Sequence, residues 1–169
     1  MATKRATAKP PVTATKEKAE PAAARRKRLR AHAETQIDAY LRENGIDDPA
    51  TFKIDEGYTV EAGEVTLHIG LEPDGRDLLL LVGAELMSVP ANPKRAASMM
   101  RELLELNAMA IGPARFAIED GSVWVVSVDR VDLMPDADFG RCIDAVAGWG
   151  NQALEILSKK PRRVAAKRR

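Results

Sequence analysis

Two histidines, one cysteine and a run of four aspartates are the residues of this chain whose types and spacing could do chemistry. His32 and His68 stand far apart in sequence and Cys142 has no second cysteine, so neither a zinc-ligand spacing nor a thiol redox pair is present. His68 falls on the polar side of the alternation Val65-Leu67-Ile69-Leu71, where a surface histidine is expected. Cys142 falls on an apolar helical stripe, which suits a small buried hydrophobe better than a nucleophile. Asp129, Asp132, Asp136 and Asp138 could in principle bind a divalent cation or share a proton. Asp136 or Asp138, however, sits where a helix needs a cap, a role worth about 1 kcal/mol, and no Asp-x-Asp-x-Asp-Gly loop with a downstream Glu follows. There is also no Gly-rich phosphate loop, no Gly-x-Ser-x-Gly and no His-Glu-x-x-His. The expectation is a protein that is not an enzyme and takes no cofactor, metal or small-molecule substrate.

The elements that would have to position any site read as helix, three strands, helix, two strands, helix. Leu29, Ala33, Gln36, Ile37, Tyr40 and Leu41 share one face of a helix over residues 23–44, with Asn44-Gly45 as its stop and Arg25, Arg26, Lys27 and Arg28 facing solvent. Phe52 to Val60 alternates loosely and Val65 to Leu71 cleanly. The turn Glu72-Pro73-Asp74-Gly75 then leads into the run Leu78 to Leu86, apolar but for Glu85. One half-wet strand beside a largely apolar one predicts an antiparallel sheet with the apolar strand near its centre.

Asn92 as cap and Pro93 at the first helical position announce the second helix, which ends before Gly112-Pro113. Its apolar arc, containing Met99, Met100, Leu103, Leu104, Leu106 and Met109, is wider than one stripe. Such a helix packs against two surfaces of its own domain or buries one against a partner. Arg115 to Glu119 and Val123 to Asp129, joined through Asp120-Gly121, read as a hairpin. Phe139, Cys142, Ile143, Val146, Trp149, Ala153, Ile156 and Leu157 form the buried side of the last helix. In that helix Gly148 and Gly150 each cost on the order of 1 kcal/mol relative to Ala, and they are read as making room for Trp149 or another backbone.

Charge is segregated along the chain. Met1 to Ala31 carries ten basic residues against Glu17 and Glu20, and Lys159 to Arg169 carries seven against none. The stretch between has nine basic and twenty-three acidic residues, hidden in an overall charge of +1. Residues 1–24 hold only one large aliphatic, Val12, and 159–169 repel one another beyond Pro161, so both are expected to be disordered tails flanking one α+β domain at 25–158. A flexible tail of about 24 residues spans roughly 25 to 29 Å, enough to lie back on its own acidic domain. A polyanion is the competing occupant. Arg25, Arg26, Lys27, Arg28, Lys159, Lys160, Arg162, Arg163, Lys167, Arg168 and Arg169 could neutralise DNA or RNA phosphates without base specificity. The longest apolar run, Leu78 to Ala84, is far short of the roughly twenty residues that span a bilayer, and the N-terminus lacks the apolar core of a secretory signal. With a lone cysteine this predicts a cytoplasmic protein without a membrane partner.

The element order, with Leu103-Leu104-Glu105-Leu106-Asn107 leading into Ala114 to Val125 and a final Ile143-Asp144-Ala145-Val146-Ala147, resembles the YbjN-domain family, which shares its fold with type III secretion chaperones of the Tir-chaperone kind. The resemblance implies a non-enzymatic α+β domain, often a homodimer, with the middle helix contributing to self-association. It also implies chaperone-like binding of a protein client or a regulatory role. The long basic ends depart from that family's pattern. On this reading Met99, Met100, Leu103, Leu104 and Leu106 are the surface for a second copy or a client.

Overall fold

The computed structural model describes residues 20–55, 57–109 and 112–158. Helix α1 runs Ala22–Glu43 and buries Leu29, Ala33, Ile37 and Leu41, the spacing that a 3.6-residue period demands. Its first turn takes in residues 22–24, which correspond to the end of the expected N-terminal tail. Residues 1–19 of that tail, and Lys159 to Arg169, lie outside the described residues.

The expected first strand is two elements. Asp48 accepts the Ala50 N–H and, with Pro49 following, starts a 3₁₀ turn over Pro49–Phe52; the chain then makes a two-residue strand β1, Lys53–Ile54, and turns into β2, Gly57–Ala62. Next come β3, Val65–Asp74, and β4, Asp77–Ser88, helix α2 over Pro93–Met109, then β5, Arg115–Glu119, and β6, Ser122–Arg130. A short 3₁₀ turn at Val131–Leu133 leads into α3, Asp136–Ser158. Between β5 and β6 only Asp120 and Gly121 intervene, both at positive φ, 49° and 79°, which is why Asp-Gly can make so short a hairpin.

All strand pairs are antiparallel in the order β1-β2-β3-β4-β6-β5, so the apolar strand β4 is central as its composition requires. One face carries Tyr58, Val60, Val65, Leu67, Ile69, Leu71, Leu78, Leu80, Val82, Val123 and Val125, and α1 and α3 pack across it. Gly150 lets α3 come close. A Cβ there would stand 3.0 Å from Val65 Cγ1 and 3.4 Å from Val125 Cγ1, whereas one at Gly148 would meet nothing within 4 Å. Ile156 is exposed, contrary to its expected place on the buried stripe. On the opposite sheet face His68, Leu79, Leu81, Gly83, Trp124, Val126 and Val128 keep partial or full exposure.

Candidate protein-docking surface

Helix α2 is built as its cap residues dictate. Asn92 Oδ1 accepts the N–H groups of Lys94 at 3.0 Å and Arg95 at 3.2 Å, and Pro93 occupies the first helical position, where a missing N–H costs nothing. Its wide apolar arc divides into two stripes. Met99, Leu103 and Leu106 point inward at 7%, 5% and 4% exposure, while Met100 and Leu104, one helical turn apart, stand at 42% and 69%, with Met109 at 61%. Of the five residues expected to form one surface, only Met100 and Leu104 are exposed; Met109, exposed as well, lies on the other flank of the helix. Met99, Leu103 and Leu106 are core of the single chain. Burying one stripe satisfies the helix's own packing and leaves the adjacent one exposed among the described residues.

Asn107, the last residue of the Leu-Asn pair, fixes α2 to the sheet edge. Its Nδ2 donates to the Phe116 carbonyl at 3.1 Å and its Oδ1 accepts the Phe116 N–H at 2.7 Å, so one side-chain amide replaces a neighbouring strand at the outer side of β5. Phe116 in turn meets Trp149 of α3 edge to face, ring centroids 6.3 Å apart. Two residues further along β5, Ile118 is exposed. Asn107 escaped the sequence reading as a contact residue. Its only signal was the polar amide closing an apolar run just before a strand.

The residues weighed for catalysis are dispersed. Asp132 lies in a half-buried ionic network: Arg25 reaches Asp77 at 2.8 Å and Asp132 at 2.9 Å, and Arg130 reaches Asp77 at 2.8 Å and Asp132 at 2.9 Å. This ties the start of α1 to the beginning of β4 and the end of β6, and the Arg130 guanidinium holds the Asp132 carboxyl below the usual carboxylate range. Asp136 sits 3.3 Å from His32, and Asp138 pairs with Arg141 at 2.8 Å. Among the described residues no group of three or more His, Cys, Asp or Glu could hold a metal ion.

Cys142 borders a shallow cavity of about 280 Å³ together with Pro113, Leu133 and Met134. Its thiol donates to Asp129 at 3.3 Å, and Ser127 donates to the same carboxylate at 2.8 Å. Burial pushes the Cys142 thiol up to about 11, and the Asp129 carboxylate adds to the push. The folded chain therefore favours the neutral thiol, the opposite of what a nucleophile needs. At pH 8 a disulfide reagent should label native Cys142 on the order of a hundredfold more slowly than the urea-unfolded chain. Equal rates by absorbance would contradict this burial.

The basic cluster of α1 does not face solvent as a unit: Lys27 and Arg28 are exposed as expected, whereas Arg25 and Arg26 are half-buried, which corrects the expectation for those two. Arg25 is held in the ionic network, Arg26 donates to the Gly75 carbonyl, and Arg28 pairs with Glu20 at 3.1 Å; Lys27 is exposed. Helical spacing sends the four around the cylinder, and the sheet end supplies acceptors for those that point inward. The other basic candidates, Lys159, Lys160, Arg162, Arg163, Lys167, Arg168 and Arg169, lie outside the described residues.

Among the described residues no helix is long and apolar enough to cross a membrane. No family model matches the sequence and no curated protein matches it. Among solved structures, one chain of the heterodimeric complex ExoU-SpcU from the type III secretion system of Pseudomonas aeruginosa is similar, with a TM-score of 0.52 at 20% identity, covering 73% of this chain and 99% of that chain. At that identity the likeness is one of fold. The described domain is an α+β unit with a six-stranded antiparallel sheet, similar in fold to a chain solved within a two-protein complex.

Proposed function

We propose that this chain is a non-enzymatic protein-binding module, chaperone-like or a regulatory adaptor, which forms a homodimer and takes a protein client in the cytoplasm. The observation that carries the reading is the outer stripe of α2, Met100 and Leu104, left exposed on a helix whose inner stripe is already satisfied. Methionine and leucine suit a docking surface, being flexible enough to adapt to more than one apolar partner. The fold likeness supports the reading, because the similar chain was solved in a heterodimeric complex with another protein. The engagement of Arg25, Arg26 and Arg28 within the chain leaves fewer free cations for a polyanion at the α1 end.

Leu104→Glu tests whether client capture depends on the α2 stripe, through the dimer that the stripe forms or by direct contact. The variant should lose, by about tenfold or more, a protein that the unaltered chain captures from its native cell after nuclease treatment, a loss of about 1.4 kcal/mol of binding. Its single-chain unfolding free energy should stay within about 0.5 kcal/mol of the original, since Leu104 is 69% exposed. Equal capture by both chains would count against α2 as the docking surface.

A further inference from the structure

The second sheet face offers an apolar floor, and the chain itself supplies a segment that matches it. Gly83 of β4 stands opposite His68 of β3 on one side and Val126 of β6 on the other. The missing side chain at Gly83 is covered by its neighbours, with Trp124 and Val126 carbons each 3.6 Å from where a Cβ would be. The Trp124 ring thus lies toward His68, centroids 6.1 Å apart. Leu81, opposite Val128, extends this floor along β4, and Val128 is 54% exposed. Glu85, directly opposite Trp124, and Glu61, opposite Thr66, border the floor at one end of the sheet; both are exposed, and neither has a Lys or Arg partner among the described residues. Arg115, on the β5 side of the face, is turned back onto the carbonyls of Gly112 and Ala114, each at 2.6 Å.

Helix α3 delivers the chain to that same end. Asn151 donates to the Ala62 carbonyl at 2.8 Å and accepts the Glu64 N–H at 2.7 Å, which fastens the last part of α3 to the β2–β3 hairpin. The helix ends at Ser158 with no basic residue in its last turn, so the negative end of its dipole is uncompensated from within. Eleven residues follow, Lys159 to Arg169, with Val164-Ala165-Ala166 between two basic flanks. Extended, they reach up to about 36 Å, well beyond the layer spacing of about 10 Å that separates the helix side of the sheet from its far face.

We propose that residues 159–169 seat on the open face of their own sheet, Val164-Ala165-Ala166 on Trp124 and Val126 and the basic flanks beside Glu61 and Glu85. The contact closes this face to other partners and neutralises the acidic end of the domain, and any ligand of the face or of the basic segment displaces it. The inference is independent of the α2 stripe.

A photo-cross-linking benzophenone amino acid placed at position 164 of the full chain tests it. Irradiation should give cross-links within one chain to the β4 and β6 segments around Glu85 and Trp124. Their yield should fall about fivefold in Glu61→Gln/Glu85→Gln, and equally in Arg162→Gln/Arg163→Gln, as expected for the loss of two exposed ion pairs. About 0.5 M salt should produce a similar fall, because it shortens the screening length well below 8 Å. The second pair of substitutions lies beyond the last helix, so its effect does not depend on the first variant's fold. Cross-links scattered over the surface, cross-links joining two copies, no cross-link at all, or a yield insensitive to both variant pairs would each overturn the proposal.

Discussion

At a concentration low enough to keep the chain single, Leu103→Glu should cost about 4 kcal/mol or more of folding stability, whereas Leu104→Glu, its immediate neighbour, should cost under about 0.5 kcal/mol. Leu103 is 5% exposed, so the introduced carboxylate would be buried among Met99, Leu106 and the sheet edge with no cation to meet it; at Leu104, 69% exposed, water solvates it. Urea denaturation followed by circular dichroism reads the difference directly. A marginal domain of 5–15 kcal/mol would lose a large part of its margin in the first variant and almost none in the second. Equal stabilities would mean that the two stripes of α2 have been assigned to the wrong sides.

The second large effect is expected at Gly57. A Cβ there would stand 1.8 Å from the Ile69 carbonyl oxygen and 2.8 Å from its carbon, and both are backbone atoms of the strand with which β2 pairs. No rotamer change can relieve such a clash, so β2 must move away from β3 and carry Tyr58 and Val60 out of the core. Gly57→Ala is expected to cost on the order of 3 kcal/mol, in the range of severe overpacking. Gly148→Ala is its matched control: nothing lies within 4 Å, and a helix-interior Ala should add about 0.5 to 1 kcal/mol. Thermal unfolding midpoints moving in opposite directions would support both contacts; two losses of equal size would not.

The parts of this fold that could be read in the sequence are those where the cause is local. Asn92-Pro93 starts α2, Asp120-Gly121 turns the β5–β6 hairpin, and the run from Leu78 marks the central strand, because each rests on dihedral preference or on periodicity within a few residues. The stretch from Phe52 to Val60 was harder. It looks like one loose strand, but Asp48-Pro49 draws its start into a 3₁₀ turn, and its last part is set by how close Gly57 comes to the Ile69 backbone on a different strand. The exposed stripe of α2 was legible only as an arc. Helical spacing groups Met99 with Leu103 and Met100 with Leu104, but which pair faces the core depends on where β5 lies. The Asn107 amide on Phe116 and the Arg25-Asp77-Arg130-Asp132 network join residues far apart in the chain, and composition assigns Arg25 to a solvent-facing basic cluster.

That network also sets a direction for acid stability. Asp132 has its acidity strengthened in the folded chain, first by the hydrogen bond from Arg130, so the folded state holds its proton less readily than the unfolded one. The associated stability is present above the ordinary carboxylate range and is lost as pH falls through the lowered value.

The central claim, that the outer stripe of α2 joins one copy of this chain to another, is tested most directly by light scattering behind size-exclusion chromatography at micromolar concentration. The unaltered chain should elute with twice the 18.4 kDa mass of one chain. Met100→Glu/Leu104→Glu should elute at the single-chain mass with its circular dichroism unchanged. A single-chain mass for the unaltered protein, or a double mass that survives both substitutions, would contradict the claim.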